Sequence, residues 1–438
     1  MTQSQKNVMY VSNDLGYGKD KGTFDDVYIK HPSVFVRIYE SPNWENIDWN
    51  STDVLDQRVK DIFNYLDVSI KDKRYLTTVA AANSLKTLTT LKDDAPNGKA
   101  HSNAALILPL SLIAGRAIQE AYAQAKKNGE EFDPDDVITV NVYLTTALPI
   151  TEAGTKDNDV RPEYKQRFMA HQHTVTVHSL GKDIQVNIRF KDATIFKEGE
   201  IVTVMAIQQG PAAFQKKLIN KVKHIKLADG LILNDDELAE SLVKDADSYM
   251  AIDAGQHTVD ISLFNNGSVN DYSQSINQSM GDVLDDAFNI YQQQNPNGAS
   301  LTTSKDFNDV WLKAVEPETE AKNAKERLAA ITEKMLKKNV IEAVDQSVEP
   351  LINQILTKVR YLISKNPKLQ IIYIFGGGAI PLVEQYHLDQ RIQDEINAKK
   401  LPIPVVWVGK EYAQNMNEMA LEILSKMQKN KLQKANQK

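Results

Sequence analysis

One short pattern occurs twice in this sequence, and it constrains the fold more than any other feature. The stretches MYVSNDLGYGKDKG and MAIDAGQHTVDISLF each consist of an apolar strand-like run, an Asp-x-Gly turn and a second strand-like run. The aspartates are Asp14 and Asp253, so the copies lie far apart in the chain. A single Asp-x-Gly hairpin is an ordinary tight turn. A copy in each half of the chain predicts two related domains that face each other.

The residue types in both turns suit the binding of a nucleoside triphosphate. Glycines let backbone N–H groups approach phosphate oxygens and form an anion-binding nest. Lys19 adds a positive charge to the first turn, and Thr258 adds a hydroxyl donor to the second. A carboxylate at each turn can hold a hydrated Mg²⁺, which keeps most of its waters and seldom occupies an all-protein cage.

A third pattern, IIYIFGGGAIPL, places Gly376, Gly377 and Gly378 directly after an apolar strand. Three consecutive glycines are costly unless a backbone must approach something closely. Two interpretations stay open at this point. The glycines form either a strand-to-helix loop that packs against a nucleoside or a tight strand-to-helix turn without a ligand.

Composition excludes several classes of protein. The chain has 438 residues, a two- to three-domain length, and its lack of cysteine excludes disulfides, thiolate-bound zinc, iron–sulfur clusters and a cysteine nucleophile. A net charge of −7 argues against a surface that coats nucleic acid. The longest apolar run, 104–114, contains Pro109 and Ser111 and is too short to span a bilayer. The N-terminal MTQSQKN lacks the features of a signal peptide, so we expect a cytoplasmic protein.

Local patterns predict alternating strands and helices. The alanine- and leucine-rich segment 104–128 predicts a helix, capped by Ser102 or Asn103 and ended by Gly129. The other predicted elements are a strand over 137–144, three strands within 172–209 (HTVTVHSL, IQVNIRFKDATIF and EIVTVMAIQ), a charged helical linker near 220–244, strands over 249–255 and 369–375, a mainly helical stretch over about 275–363, and a terminal helix over about 411–427 followed by a disordered lysine-rich tail.

The three glycine-containing patterns, in this order, resemble the signature of the actin-like ATPase superfamily. DLGYGK is similar to its first phosphate motif, IDAGQHTVDISLF to its second and IFGGGAIPL to its adenosine motif. Within the superfamily the chain most resembles the ParM-type bacterial plasmid-segregation proteins, through VNVYLTTALPI, HTVTVHSLGKDIQVNIRF and EIVTVMAIQQGPAAF. The resemblance implies an α/β, actin-like (ribonuclease H-like) two-domain fold with a central nucleotide cleft and accessory subdomains.

The resemblance also implies domain boundaries and site residues. Asp14 and Asp253 would contact Mg²⁺ through its waters. The implied domains are domain I over 1–245 with a small subdomain inserted at about 35–100, domain II over 246–410 with a mainly helical subdomain at about 283–345, and a C-terminal helix and lysine-rich tail over 411–438 that returns to domain I. The implied phosphate contacts are Gly16, Tyr17, Gly18 and Lys19 from one side and Gly255, Gln256, His257 and Thr258 from the other, and Gly376, Gly377 and Gly378 would pack on the adenosine.

A glutamine completes the implied catalytic set of Gln209, Asp14 and Asp253. Gln209 falls where the family keeps the Gln or Glu that orients the attacking water, and Gln208 is its rival by a one-residue slip. A glutamine cannot act as a general base at neutral pH and can only position water. The resemblance therefore implies slow hydrolysis.

The implied function is that of a filament-forming protein that hydrolyses ATP, or GTP, with Mg²⁺ to control polymer turnover and to segregate plasmid DNA. The implied partners are further copies of the chain and a DNA-binding adaptor at a centromere-like site, since a negatively charged body is poorly suited to gripping DNA directly. Two alternatives stay open. One is a small-molecule kinase of the same superfamily, which needs a carboxylate base; the other is a non-polymerising ATP-dependent chaperone or membrane-tethered adaptor.

Two further features have simpler explanations than a ligand site. On a strand, His171 and His173 share a face that His178 does not, so the three cannot converge on a metal without a bend. We interpret them as part of a hairpin surface. The terminal helix has apolar residues at helical spacing before several lysines, as membrane-binding helices do, but it lacks Trp and Phe anchors. We expect it to dock on the protein body rather than on a membrane.

Overall fold

The computed structural model describes residues 7–42, 44, 47–49, 51–94, 98–154, 158–266, 268–295, 301–314 and 324–436. The chain forms two compact units. Unit 1 comprises Met1–Phe214 and Asn415–Lys438, and unit 2 comprises Gln215–Gln414.

The described residues form sixteen strands and fifteen α-helices. The strands are β1 (Asn7–Leu15), β2 (Lys19–Phe24), β3 (Val27–Pro32), β4 (Val34–Ile38), β5 (Asp67–Ile70), β6 (Lys73–Thr77), β7 (Thr89–Thr90), β8 (Ile138–Leu148), β9 (His173–Val177), β10 (Ile184–Lys197), β11 (Ser248–Ala254), β12 (Val259–Asn265), β13 (Ser268–Val269), β14 (Gln274–Ile276), β15 (Ile371–Phe375) and β16 (Val405–Trp407).

The helices are α1 (Thr52–Lys60), α2 (Thr78–Ala82), α3 (Leu91–Asp94), α4 (Ala104–Asn128), α5 (Ile150–Ala153), α6 (Arg161–Met169), α7 (Ala212–His224), α8 (Asp236–Lys244), α9 (Met280–Gln294), α10 (Ser304–Ala314), α11 (Ala324–Lys365), α12 (Ala379–Glu384), α13 (Leu388–Ala398), α14 (Lys410–Ala413) and α15 (Met416–Asn436). Short 3₁₀ segments occur at Ile62–Asn64, Lys99–His101 and Ala228–Gly230, and a π-helical segment at Val202–Gln208.

The two sheets contain the same five-strand arrangement. In unit 1 the strand order is β3-β2-β1-β8-β10-β9-β5-β6-β4-β7, and in unit 2 it is β13-β12-β11-β15-β16, with β14 paired to β12. Each sheet has an antiparallel hairpin, β1–β2 or β11–β12, whose first strand pairs in parallel with a later strand, β8 or β15, which pairs in parallel with β10 or β16. This is the repeat that the two Asp-x-Gly patterns predict. Strands β4 to β7, from the segment expected to form an inserted subdomain, extend the unit 1 sheet through the β5–β9 pair.

Helices α4 and α15 cover opposite faces of the unit 1 sheet. Met9 and Val11 on β1 are buried in the same core as the apolar residues of α4. Alternation along the strand turns Tyr10 to the other face, where the Nζ atom of Lys429 on α15 lies 5.5 Å from its ring centroid. The C-terminal helix thus belongs to unit 1, whereas residues 411–414, which the resemblance groups with it, belong to unit 2.

Helix α4 has the bounds predicted from the sequence. Ser102 Oγ accepts a hydrogen bond from the Ala105 N–H at 3.0 Å, and Gly129 ends the helix with a φ of 71°. By length and composition α4 is also long and apolar enough to cross a membrane, but 72% of its most apolar window is buried within the protein. Core helices pass the same test, and α4 is one of them.

The segment between α7 and β11 belongs to unit 2, although the sequence places the domain boundary at 245/246. Lys221 Nζ donates to the Trp407 carbonyl at 2.8 Å, and the Tyr373 hydroxyl donates to the Leu242 carbonyl at 3.3 Å. These contacts attach both α7 and α8 to strands of the unit 2 sheet.

Two predictions of local structure are wrong. The run EIVTVMAIQ, expected to be a third strand, is helical and contains the π-helical segment Val202–Gln208. Its β-branched residues favour a strand locally, but Ile201 and Ile207 are buried in a helical conformation that packs against α15, so tertiary packing decides. The terminal helix begins at Met416 rather than at 411, after the short α14, and it continues to Asn436 instead of ending in a disordered tail, because Lys, Gln and Leu are good helix formers.

Candidate functional site

The two Asp-x-Gly turns close with the same hydrogen bond. In the first turn, Gly16–Lys19, the Gly16 N–H donates to the Lys19 carbonyl at 3.0 Å. In the second turn, Gly255–Thr258, the Gly255 N–H donates to the Thr258 carbonyl at 2.8 Å. The likeness of the two sequence patterns is therefore a likeness of backbone geometry.

A buried serine holds the first glycine of each turn. Ser33 Oγ donates to the Gly16 carbonyl at 2.6 Å, and Ser279 Oγ donates to the Gly255 carbonyl at 2.7 Å. Both serines are fully buried. Because a trans peptide places its N–H opposite its C=O, each serine directs the next N–H of the turn away from itself. Neither serine is recognisable from the local sequence, since they lie 17 and 24 positions from the glycines they hold.

The aspartates of the two hairpins have different neighbours. Asp14 lies opposite Lys21 in the β1–β2 ladder, and Lys21 Nζ is 2.7 Å from Asp14 Oδ2. Asp253 lies opposite Asp260 in the β11–β12 ladder, and both side chains are buried. Two carboxylates directly opposite each other repel, so the second hairpin concentrates negative charge. The carboxylate oxygens of Asp253 and Asp260 are of the type that suits a hydrated divalent cation such as Mg²⁺.

The other residues predicted to surround the phosphates lie in or beside the two turns. Lys19 begins β2 and its side chain is exposed, so Lys21 rather than Lys19 contacts Asp14. His257 Nδ1 lies 3.1 Å from Asp282 Oδ1, in the first turn of α9. Tyr17 and Gly18 lie within the first turn, and Gln256 and His257 within the second. Their contacts with a nucleotide stay predictions.

The triple glycine joins β15 to α12 and packs on the second hairpin. Gly376 has a φ of 99°, and a Cβ atom there would lie 2.3 Å from the Ala254 carbonyl oxygen. A Cβ at Gly378 would lie 2.3 Å from the Gly255 carbonyl oxygen, and the Gly378 N–H donates to Ala254 O at 2.8 Å. A Cβ at Gly377 would make only ordinary contacts. Two of the three glycines are therefore required by the protein itself, and their packing on a nucleoside stays a prediction.

Comparison with solved structures identifies the fold. The actin-like protein Alp7A aligns with a TM-score of 0.60 at 16% identity, over 98% of this chain and 99% of that one. A non-polymerisable quadruple mutant of the pCBH ParM aligns with a TM-score of 0.55 at 15% identity, over 96% of this chain and 100% of that one. The chain has an actin-like fold.

A third actin-like structure, a 15-stranded ParM filament from Clostridium botulinum, aligns with a TM-score of 0.55 at 16% identity, over 96% of this chain and 99% of that one. No family model and no curated protein matches the sequence. The structural neighbours confirm the actin-like fold that the three glycine-containing patterns imply and the ParM-type resemblance that rests on VNVYLTTALPI, HTVTVHSLGKDIQVNIRF and EIVTVMAIQQGPAAF. At such low identity they show the fold alone.

The two glutamines predicted to orient water lie at the end of the π-helical segment of this actin-like chain. Gln208 is half-buried and Gln209 is exposed. A Cβ at Gly210 would lie 1.8 Å from the Ala206 carbonyl oxygen, so only glycine allows the chain to turn directly after the glutamines. Single π-turns occur frequently at functional sites. The choice between Gln208 and Gln209 stays open.

Two buried carboxyl groups near the first hairpin were missed from the sequence. Asp20 is fully buried, and its Oδ1 accepts from Asn13 Nδ2 at 2.5 Å, while its Oδ2 has no hydrogen-bond partner among the described residues. Burial, with the charge of Asp14, raises the pKa of Asp20 to about 7. On α15, Glu418 accepts from Thr23 Oγ1 at 3.0 Å, and burial raises the pKa of Glu418 to about 7. Nothing in the local pattern distinguishes either residue from a solvated one.

The three histidines of the HQHTVTVH run lie near β9. His173 is buried, with Nε2 2.9 Å from the Phe168 carbonyl oxygen. His178 lies 2.7 Å from Ser69 Oγ through Nε2 and 2.7 Å from Asp183 Oδ1 through Nδ1. In the part of the chain that the structure describes, no group of three or more His, Asp or Glu side chains is arranged to hold a metal ion directly.

Proposed function

We propose that this protein is a filament-forming nucleotide hydrolase that binds ATP, or GTP, with Mg²⁺ and uses hydrolysis to control polymer turnover. The observation that carries the proposal is the pair of matched turns, each closed by the same hydrogen bond and each following a buried aspartate. The actin-like fold supports it, since neighbours with this fold include a ParM filament.

Each hairpin has a separate role in this proposal. The turn N–H groups bind phosphate oxygens, and Lys21 adds a positive charge beside the first turn. Asp14 and Asp253, with Asp260 opposite Asp253, hold the waters of a hydrated Mg²⁺, which offsets the phosphate charge when it is bound. Gln209, or its neighbour Gln208, positions the attacking water.

We further propose that the polymer acts in the bacterial cytoplasm and moves plasmid DNA through a DNA-binding adaptor. The net charge of −7 supports an adaptor, because an acidic body does not attract the phosphate backbone. The protein alone is then expected to leave DNA unshifted in an electrophoretic mobility assay at physiological salt. A shift that weakens steeply as salt rises would contradict the adaptor.

The test of polymerisation is light scattering together with negative-stain microscopy, with ATP–Mg²⁺, GTP–Mg²⁺, ADP–Mg²⁺ or no nucleotide. We expect filaments with a triphosphate and slow phosphate release that follows assembly. Asp253→Ala is expected to abolish phosphate release, whereas Asp271→Ala, at an exposed turn of the same unit, serves as the matched control. Absence of polymer under every condition, or unchanged phosphate release in Asp253→Ala, would overturn the proposal.

A further inference from the structure

A lysine is buried beside the first turn. Lys99 is only 2% exposed and lies in the 3₁₀ segment that precedes α4. Its Nζ is 2.6 Å from Glu198 Oε1, and its backbone N–H donates to Glu152 Oε2 at 2.6 Å. Tyr17, within the first turn, donates its hydroxyl to Glu152 Oε1 at 2.8 Å, and Lys99 Nζ lies 5.4 Å from the Tyr17 ring centroid. We call these four residues the Lys99 cluster.

The Lys99 cluster connects the 3₁₀ segment that contains Lys99 with three other chain segments of unit 1. Tyr17 belongs to the turn between β1 and β2, and Glu152 lies in α5, directly after β8. Glu198 follows the last residue of β10, and its N–H donates to the Leu148 carbonyl at the end of β8 at 2.7 Å. Only a few residues then separate Glu198 from the π-helical segment that ends at Gln208. The Lys99 ammonium group therefore lies between the ring of Tyr17 in the first turn and Glu198, the residue that follows β10 on the way to the two glutamines.

The local structure is built to hold these groups. Gly98 has a φ of 91°, and a Cβ there would lie 2.9 Å from Glu152 Oε2, so a side chain at this position would displace the carboxylate. Burial lowers the pKa of Lys99, but the carboxylates of Glu198 and Glu152 outweigh burial and raise it above its usual range. Lys99 is therefore charged, and a buried charge is tolerated only where partners compensate it.

The proximity of Lys99 to Tyr17 in the first turn separates a positioning role from simple charge neutralisation. A lysine needed only to neutralise Glu198 has no reason to meet the turn, yet Lys99 Nζ also lies 5.4 Å from the ring centroid of Tyr17. The backbone N–H of Lys99 in turn donates to Glu152, the carboxylate that receives the Tyr17 hydroxyl. Ser33 holds the backbone of the same turn through Gly16. The first turn is thus fixed by its backbone and by the one large side chain it carries.

We propose that Lys99 is a positioning residue for the nucleotide site: through Glu152 and Tyr17 it fixes the first turn, and through Glu198 it links that turn to the segment that carries Gln208 and Gln209. The expected effect on nucleotide affinity rests on the proposed function, since a fixed turn presents its N–H groups to phosphate without reorganisation. The effect on the rigidity of the turn does not require nucleotide and can be tested in the nucleotide-free chain.

The experiment compares Tyr17→Phe, Lys99→Met and Lys99→Met/Glu198→Gln with the wild-type chain. The controls are Tyr39→Phe and Lys126→Met, which change an exposed tyrosine and an exposed lysine of the same unit. Three quantities are measured: hydrogen exchange of the amides at 16–19 without nucleotide, the Kd for a fluorescent ATP analogue with Mg²⁺, and the melting temperature.

We expect Tyr17→Phe to raise the rate of amide exchange in the first turn and to leave the melting temperature nearly unchanged. The Kd should rise by about tenfold, which is the effect of losing one hydrogen bond to a charged group. Lys99→Met is expected to lower the melting temperature, and the double variant to recover much of it while its exchange stays fast. If Tyr17→Phe and the double variant both keep the exchange rates and the Kd of the wild-type chain, the inference is overturned. Lys99 would then serve only to neutralise buried carboxylates. If Lys99→Met fails to fold, Tyr17→Phe, which loses a single hydroxyl, decides the question.

Failure of the proposed function gives a different result. A wild-type chain that binds no nucleotide contradicts the proposed function, and the exchange measurement on the nucleotide-free protein still decides whether Lys99 holds the turn.

Discussion

The two hairpins share a backbone and differ in charge. Both turns close with the same glycine hydrogen bond, and both first glycines are held by a buried serine. The residue seven positions after the aspartate is Lys21 in the first hairpin and Asp260 in the second, and in each ladder it lies directly opposite that aspartate. In the proposed function, one turn thus brings a cation to an anionic ligand, and the other brings carboxylates to a metal ion. The repeat preserves shape, and single substitutions give each copy its own chemistry.

The supports of the two turns differ as well. Ionisable groups lie along the first hairpin, namely the Lys99 cluster at its turn, Asp20 at the start of β2 and Glu418 beside Thr23. The second turn is held by close backbone packing: Gly376 and Gly378 meet its carbonyls, and a Cβ at Gly281 would lie 2.6 Å from the Gln256 carbonyl oxygen. The first turn should therefore respond to charge and pH, whereas the second, in which His257 lies 3.1 Å from Asp282, should respond to added atoms as well.

The largest expected effect is steric and concerns the second turn. Gly376→Ala would place a Cβ 2.3 Å from a backbone oxygen at a φ of 99°, so we expect it to destabilise unit 2 by about 4 kcal/mol, as overpacking and backbone strain combine. Gly377→Ala is the matched control, since its nearest contact would be an ordinary 3.5 Å, and should change stability by less than about 0.5 kcal/mol. Urea denaturation measures both. Similar values for the two variants would show that backbone packing does not hold this turn.

Charge substitutions in the two ladders should have opposite signs. Lys21→Met leaves Asp14 buried without its ion pair and should cost about 3 kcal/mol. Asp260→Asn removes a carboxylate opposite Asp253 and should stabilise the metal-free chain by about 1 kcal/mol. Unfolding is measured in a chelator without nucleotide.

The controls for this pair are Lys19→Met, at an exposed lysine two residues from Lys21, and Asp271→Asn, at an exposed turn. Both should be nearly neutral. Destabilisation by Asp260→Asn in the absence of metal would remove the contrast in charge between the hairpins.

The buried carboxyl group of Asp20, on the second strand of the first hairpin, predicts that the stability of the protein depends on pH. Because the pKa of Asp20 is raised from 3.8 to about 7, the folded chain binds this proton more tightly than the unfolded chain. The stabilisation is complete below about pH 4 and is lost as pH rises through about 7. Asp20→Asn should therefore leave stability unchanged near pH 4 and raise it at pH 8 by up to about 4 kcal/mol.

Chemical denaturation at several pH values measures this effect, with Asp26→Asn, at an exposed carboxyl on the turn between β2 and β3, as the control. A gain for Asp20→Asn that is equal at pH 4 and pH 8 would assign the effect to packing rather than to ionisation.

The smallest expected effect concerns the feature that both turns share, the hydrogen bond from a buried serine to the first glycine. Ser33→Ala should cost about 1 kcal/mol, because it removes one buried hydrogen bond to Gly16. Ser279→Ala should cost somewhat more, since Ser279 also caps α9 in a capping box with Asp282. Thermal unfolding compares them with Ser364→Ala on an exposed helix face. A neutral Ser33→Ala beside a costly Ser279→Ala would mean that the capping box, and not the turn, explains the second serine.

Local patterns predicted the parts of the fold that are themselves local. The apolar runs and Asp-x-Gly turns around Asp14 and Asp253, the apolar segment of α4 and the glycines after β15 all act on their immediate neighbours. The partners missed from the sequence act over distance: Tyr17 meets Glu152 across 135 positions and Lys99 meets Glu198 across 99. The run EIVTVMAIQ predicts a strand because its β-branched residues favour one locally. Its helical conformation depends on packing against α15, which is distant in the sequence. Sequence reasoning therefore located the turns but not what holds them.

The return of the chain to unit 1 affects the order in which the protein can be made. Thr23 and Glu418 form a hydrogen bond across 395 positions, and α15 lies on β1. During synthesis, the first hairpin therefore waits with one face uncovered until α15 has left the ribosome, after all of unit 2 has emerged. A chain that stops before α15 lacks the cover of this hairpin, so unit 1 is completed only after unit 2 has been translated.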